Sequence, residues 1–168
     1  MKRFLITAAM FSLIFALFGC ANDNNAGQDQ VQFYYRRGEY TYGTDETVVS
    51  PEQRDITGHA EDLDYLLALY LMGPMDEELV SPFPASVRLL SVYQAADQLT
   101  VELTDAGKAL TDAQFTLACG CLTKTCIELT DAVSVTILSG ERSITMGAED
   151  LLLFDDVIPA ESTTEETK

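Results

Sequence analysis

Three cysteines, Cys119, Cys121 and Cys126, stand within the stretch ACGCLTKTC, and no other residues of this chain are so placed for chemistry. Thiolates are nucleophiles, zinc or iron–sulfur ligands and disulfide partners. A zinc site wants four ligands, commonly from paired C-x2-4-C units. The only histidine, His59, lies sixty residues upstream. On an unbroken helix Cys119 and Cys126 share a face, while Cys121 points about 160° away from Cys119, so the three converge on one ion only if the helix breaks at Gly120. Outside the cytoplasm two of the three can pair, leaving one thiol free; buried or free thiols are the competing reading, and metal or redox chemistry the third. As a nucleophile a cysteine needs a base, and nothing in the sequence brings His59 to it. Carboxylates are plentiful (Glu61, Asp62 and Asp64; Asp76, Glu77 and Glu78; Glu149 and Asp150; Asp155 and Asp156), but none of these clusters has the calcium-loop pattern D-x-[DN]-x-[DN]-G. They read as solvated acidic surface. No G-x-G-x-x-G, P-loop, G-x-S-x-G or H-E-x-x-H motif occurs. The expectation is therefore a protein that is not an enzyme, with no cofactor and no metal.

The elements that must carry these residues follow from periodicity. Val31 to Arg36 groups strand formers, 39–49 reads as extended, and Pro51 is expected to interrupt it. Between Ala60 and Met72 the residues Leu63, Leu66, Leu67, Tyr70 and Leu71 line one helical face, acidic side chains crowd the first turn, and Gly73-Pro74 stops the helix. Ser81-Pro82-Phe83-Pro84 must be a rigid loop, because two prolines lock φ and remove donors. A strand at 87–93, a turn at 96–98 and a strand at 99–103 follow. Thr111-Asp112 caps a second helix reaching Cys126 or Leu129, weakened at Gly120, and a hairpin joins 133–137 to 142–146 across Ser139-Gly140. Residues 151–154 read as a closing strand or a short buried helical turn. Strand, helix, strand, strand, helix, strand, strand predicts an α+β two-layer sandwich, two helices packed on a mixed, mainly antiparallel sheet.

Its 168 residues bound the chain to one domain. Its start, MKRFLITAAMFSLIFALFGC, has a basic end and an apolar run from Phe4 to Phe18, too short to span a bilayer comfortably and suited to a signal peptide over 1–19. Gly19 directly before Cys20 resembles the lipobox of bacterial lipoproteins, which implies lipid modification of Cys20 and anchorage in the bilayer at the outer face of the cytoplasmic membrane. Residues 20–30 then read as a flexible tether and 159–168 as an acidic disordered tail around a folded body at 31–158. The formal net charge is −17, and −19 once Lys2 and Arg3 leave with the leader. With no stripe of basic residues to release counterions, nucleic acid is excluded as a partner.

The body also carries a family likeness. Leu66-Leu67, Leu71-Met72-Gly73-Pro74, Leu79-Val80-Ser81-Pro82-Phe83-Pro84, the hairpin ending at Leu103, and Val133-Ser-Val-Thr-Ile-Leu-Ser-Gly140 together resemble the GerMN domain of sporulation and spore germination proteins. The resemblance covers about 31–155. It implies a small non-catalytic domain, related in shape to ring-building motifs, that supports envelope assemblies in sporulation or germination. It makes Gly73, Pro74, Ser81, Pro84 and Gly140 structural motif residues. The chain departs from the pattern in carrying one copy and in its cysteine cluster. The expected partners are an envelope protein or a second copy of this chain; the rivals are a peptidoglycan-binding module using exposed tyrosines and the 74–84 loop, and a thiol-dependent enzyme centred on 119–126.

Overall fold

The computed structural model describes residues 30–39, 47–106 and 109–151. Cys20, the leader, the tether, Tyr40, Tyr42 and the acidic tail lie outside these residues.

Among the described residues, seven strands and two helices run in the order β1 (Gln30–Arg37), β2 (Val49–Asp55), α1 (Leu63–Leu71), β3 (Leu79–Val80), β4 (Leu89–Ala95), β5 (Gln98–Leu103), α2 (Asp112–Leu129), β6 (Ser134–Ser139) and β7 (Arg142–Gly147), followed by a 3-10 turn at Ala148–Leu151. The α+β class and the mixed, mainly antiparallel pairing are as the sequence predicts. The strands divide between two sheets, β2-β1-β3 and β4-β5-β6-β7, and only β5 and β6 run parallel. A parallel pair needs a long crossover, and α2 supplies it.

Pro51 does not end the extended segment as expected; it sits inside β2 opposite Tyr34. Strand β2 is the outer strand of its sheet, where a missing N–H leaves no ladder bond unmade. The two-residue strand β3, which the alternation pattern is too short to reveal, pairs Leu79 and Val80 with Arg37 and Arg36. The 3-10 turn at Ala148–Leu151 ends with Leu151 buried, and residues 152–154 of the expected closing element lie outside the described residues.

One core joins both sheets. Phe33 and Tyr35 from β1, Leu67 and Tyr70 from α1, Leu99, Val101 and Leu103 from β5, Phe115, Ala118, Cys119, Leu122 and Cys126 from α2, and Val135 and Ile137 from β6 are all buried in it. At its centre the Tyr35 and Tyr70 rings stack at 4.9 Å between centroids and 5° between planes, with Phe33 edge-on to both.

Beyond the reach of β3, the edge of β1 that turns away from β2 is closed by side chains. Thr125 Oγ1 on α2 accepts the Tyr34 N–H at 2.9 Å, and the Tyr70 hydroxyl donates to the Tyr34 carbonyl at 3.1 Å. Two helices thus do for β1 what a neighbouring strand would do, because buried backbone groups must find partners.

Candidate functional site

Helix α2 holds the thiols. Thr111 and Gln114 form a reciprocal capping box at its start. There Arg142 reaches from β7 to the Leu110 carbonyl at 3.1 Å and the Asp112 carboxylate at 3.1 Å, stacking over the Phe115 ring at 3.8 Å. The helix continues through Gly120 without a break. Cys119, Cys121 and Cys126 are each fully buried, and none is disulfide-bonded. Cys121 lies on the opposite flank from the other two, yet it too is covered, because α2 is packed on several sides.

Burial sets the chemistry of these thiols. Loss of water around the thiolate pushes Cys119 and Cys121 up to about 12, against the pull of Arg142 on the first and of Arg36 on the second, and it raises Cys126 still further. Each is a protonated, apolar filler at neutral pH. His59 is exposed, stacked on the Tyr65 ring at 3.8 Å in the turn before α1, and the N-cap there is Asp62, which accepts the Tyr65 N–H. Among the described residues no three His, Cys, Asp or Glu side chains are grouped to hold a metal ion.

The motif residues build the hand-over from α1 to the second sheet. Gly73 has φ +95°, a left-handed C′ position that ends α1, and its N–H donates to the Tyr70 carbonyl. Arg54 Nη2 donates to the Gly73 carbonyl at 3.0 Å, while Glu52 Oε1 accepts the Met75 and Asp76 N–H groups at 2.7 and 2.9 Å. Two charged side chains of β2, nearly buried and 3.7 Å apart at Arg54 Nη1 and Glu52 Oε2, therefore grip the Gly73-Pro74 loop from both ends. Ser81 Oγ donates to the Phe83 carbonyl, and the Pro84 carbonyl accepts the Val87 N–H. Gly140 turns β6 into β7 at φ +61°, where a Cβ would lie 2.7 Å from the Asp105 side chain. Sequence reading missed the Glu52–Arg54 grip. Its one signal is a pair of opposite charges two residues apart beside Pro51, a spacing that puts both on one face of a strand.

The remaining described surface is partly apolar. Met72 is 82% and Met75 79% exposed on the loop after α1, beside a cleft of about 350 Å³ lined by Ala68, Leu71, Ser81, Ala85 and Arg88. Arg36, Phe83, Pro84, Leu110 and Leu117 line a second cleft of about 350 Å³. Of the tyrosines near the start, Tyr35 is core, and Tyr34 is half-buried with Lys124 Nζ 4.8 Å from its ring centre. Leu90, Tyr93 and Val133 also stand out into solvent. No described helix is long and apolar enough to cross a membrane.

Comparison with known proteins places residues 32–145 under a family model described as Germane, sporulation and spore germination. No curated protein matches the sequence. Among solved structures, a candidate lipoprotein from Clostridium perfringens is similar at 19% identity and a TM-score of 0.47, over 76% of this chain and 93% of that one. The tandem GerMN domains of the sporulation protein GerM from Bacillus subtilis are similar at 15% identity and a TM-score of 0.46, over 67% of this chain and 38% of theirs.

Proposed function

This chain belongs to the Germane family of sporulation and spore germination domains, and from that membership we propose that it is a lipid-anchored envelope protein whose domain binds other proteins rather than catalysing a reaction. The family match over residues 32–145 is the observation that carries this reading. Two features support it. The three thiols are held protonated and out of reach, which removes the only nucleophiles with suggestive spacing. The exposed apolar groups, Met72, Met75, Leu90 and Tyr93, are of the kinds that anchor protein contacts.

Anchorage rests on Gly19-Cys20 at the end of the apolar leader. The thioether-linked lipid would place the domain on the outer face of the cytoplasmic membrane, about ten tether residues away. A body this acidic does not lie flat on anionic lipid. It stands clear of the surface, available to neighbours in the envelope.

The test is crosslinking in living cells, comparing the native protein with Cys20→Ser after feeding a labelled fatty acid. Label should enter the native protein and be absent from Cys20→Ser, and a discrete protein adduct should form only when the chain is anchored. Repeated isolation of the anchored chain without any protein adduct would overturn the binding role. Persistent association with purified wall in its place would move the assignment to a glycan-binding module.

A further inference from the structure

Among the described residues, the outer strand of the second sheet differs from the long outer strands β2 and β7, and from the two-residue edge β3 in its length. In the order β4-β5-β6-β7, strand β4 pairs with β5 on one side and, among the described residues, with no strand on the other. Its sequence, LLSVYQA, has no charged residue and no proline, and five of its seven residues are exposed. Leu90 is 58% and Tyr93 66% exposed. Natural edges are normally protected by charge, proline, bulges or a covering element. Strand β2 has Pro51, Glu52, Arg54 and Asp55; β7 has Arg142 and the 148–151 turn beside it. Strand β4 has a single irregularity between Leu89 and Ser91, and from Ser91 to Ala95 its register is regular.

The hairpin fixes which backbone groups face outward. Ala95 and Gln98 close a two-residue turn as a hydrogen-bonded pair, so alternation along the ladder turns the N–H and C=O groups of Tyr93 and Ser91 toward β5 and those of Val92 and Gln94 outward.

We propose that β4 is the docking edge for β4 of a second copy of this chain, the two strands pairing antiparallel about a two-fold axis at Val92 to make one continuous eight-stranded sheet. This deepens the protein-binding reading above and rests on it. Two identical edges in one sheet can be related by such an axis only if they run antiparallel. Val92 then exchanges both backbone bonds with Val92 of the second copy, and Ser91 faces its Tyr93.

Charge selects a second copy as the occupant. In a chain of net charge −17 most surfaces repel their own kind, whereas β4 itself carries no charged side chain. The strand is bounded by opposite charges, Arg88 before it and Asp97 after it. Antiparallel pairing about Val92 brings the Arg88 end of each strand toward the Asp97 end of the other. The two-fold axis repeats that attraction at the far end. A parallel arrangement would set like against like.

The test uses the full chain in its native membrane. Co-expressed Ser91→Cys and Tyr93→Cys chains, both altered on the exposed face, should join through a disulfide on mild oxidation, because facing residues across a non-hydrogen-bonded pair lie within bridging range. Thr145→Cys, on β7 at the opposite margin, should not. In detergent, sedimentation should find dimers of the native chain, and Leu90→Lys/Tyr93→Lys, which touches only exposed positions, should weaken dimerisation at least ~10-fold while leaving the circular dichroism spectrum unchanged. Native chains that stay monomeric, a disulfide yield no greater than that of Thr145→Cys, or a disulfide to a different protein would each overturn the proposal. If Leu90→Lys/Tyr93→Lys still gives the envelope adduct in living cells while native dimers are absent, self-pairing falls and the binding role stands; if no adduct forms with the native chain either, the binding role falls with it.

Discussion

Helix α2 and strand β4 use their side chains in opposite ways. Half of the eighteen residues of α2 are buried, including all three of its thiols. Strand β4 exposes five of its seven residues and carries no ionisable group but a tyrosine phenol. The difference teaches where to look for function in this fold. On α2 the three thiols have been absorbed as packing, and on β4 uncharged side chains have been left at the surface.

The sharpest way to break this contrast is alkaline pH. Burial raises all three thiols well above the unfolded value of about 8.5. Above that value the unfolded chain loses thiol protons that the native chain retains, so stability is full below pH ~8.5 and falls as pH rises toward 12. At pH 10 each thiol should cost about 2 kcal/mol, and together about 6 kcal/mol, measurable as a collapse of the urea midpoint between pH 8 and 10. A thiol reagent at pH 8 should label Cys119, Cys121 and Cys126 only after urea is added. Rapid labelling of the native chain would show α2 to be open.

Next in size is Thr125→Val, which keeps the shape of the side chain and removes the acceptor for the Tyr34 N–H. Leaving that donor unpaired should lower the unfolding free energy by about 1–2 kcal/mol in equilibrium urea denaturation. On the β4 side, Ala96 holds φ 54° in the turn to β5, a left-handed conformation that costs an L-residue with a Cβ about 1 kcal/mol. Ala96→Gly should recover part of it and raise the thermal midpoint by a few degrees. The smallest effect belongs to β4 itself: Leu90→Lys should change monomer stability by less than ~0.5 kcal/mol, since a solvent-facing side chain has little packing to lose. A loss of several kcal/mol there would mean that β4 is as integrated as α2.

Much of this architecture is legible in the residues. The α1 stripe from Leu63 to Leu71, its Gly73 stop, the alternation of Leu99, Val101 and Leu103, and the Thr111 cap are local signals, and local signals survive in a sequence. The division into two sheets is not local. It depends on β1 taking β2 and β3 as neighbours and closing its remaining edge with Thr125, a residue 91 positions away. Pro51 misleads for the same reason: proline opposes a central strand, and whether a strand is central is a tertiary fact. The cysteine cluster is legible as residues and opaque as chemistry. Helical spacing separates Cys121 from its neighbours correctly, but only the packing around α2 makes all three inert. The Glu52–Arg54 grip stays hidden because charged residues in a short extended run look like surface until the loop they hold is in place.

The bond between Tyr34 and Thr125 also imposes an order on folding. Strand β1 is the first described element to emerge as the chain is made and exported, yet the edge it presents to α2 has no partner until residue 125 has followed it. The β5–α2–β6 crossover sets the same condition, since parallel pairing must wait for the connecting helix. The folding chain therefore passes through a stage in which its leading hairpin is complete on one side and open on the other. Slow closure of long-range contacts, and a corresponding need for protection until they close, follow from where one threonine sits.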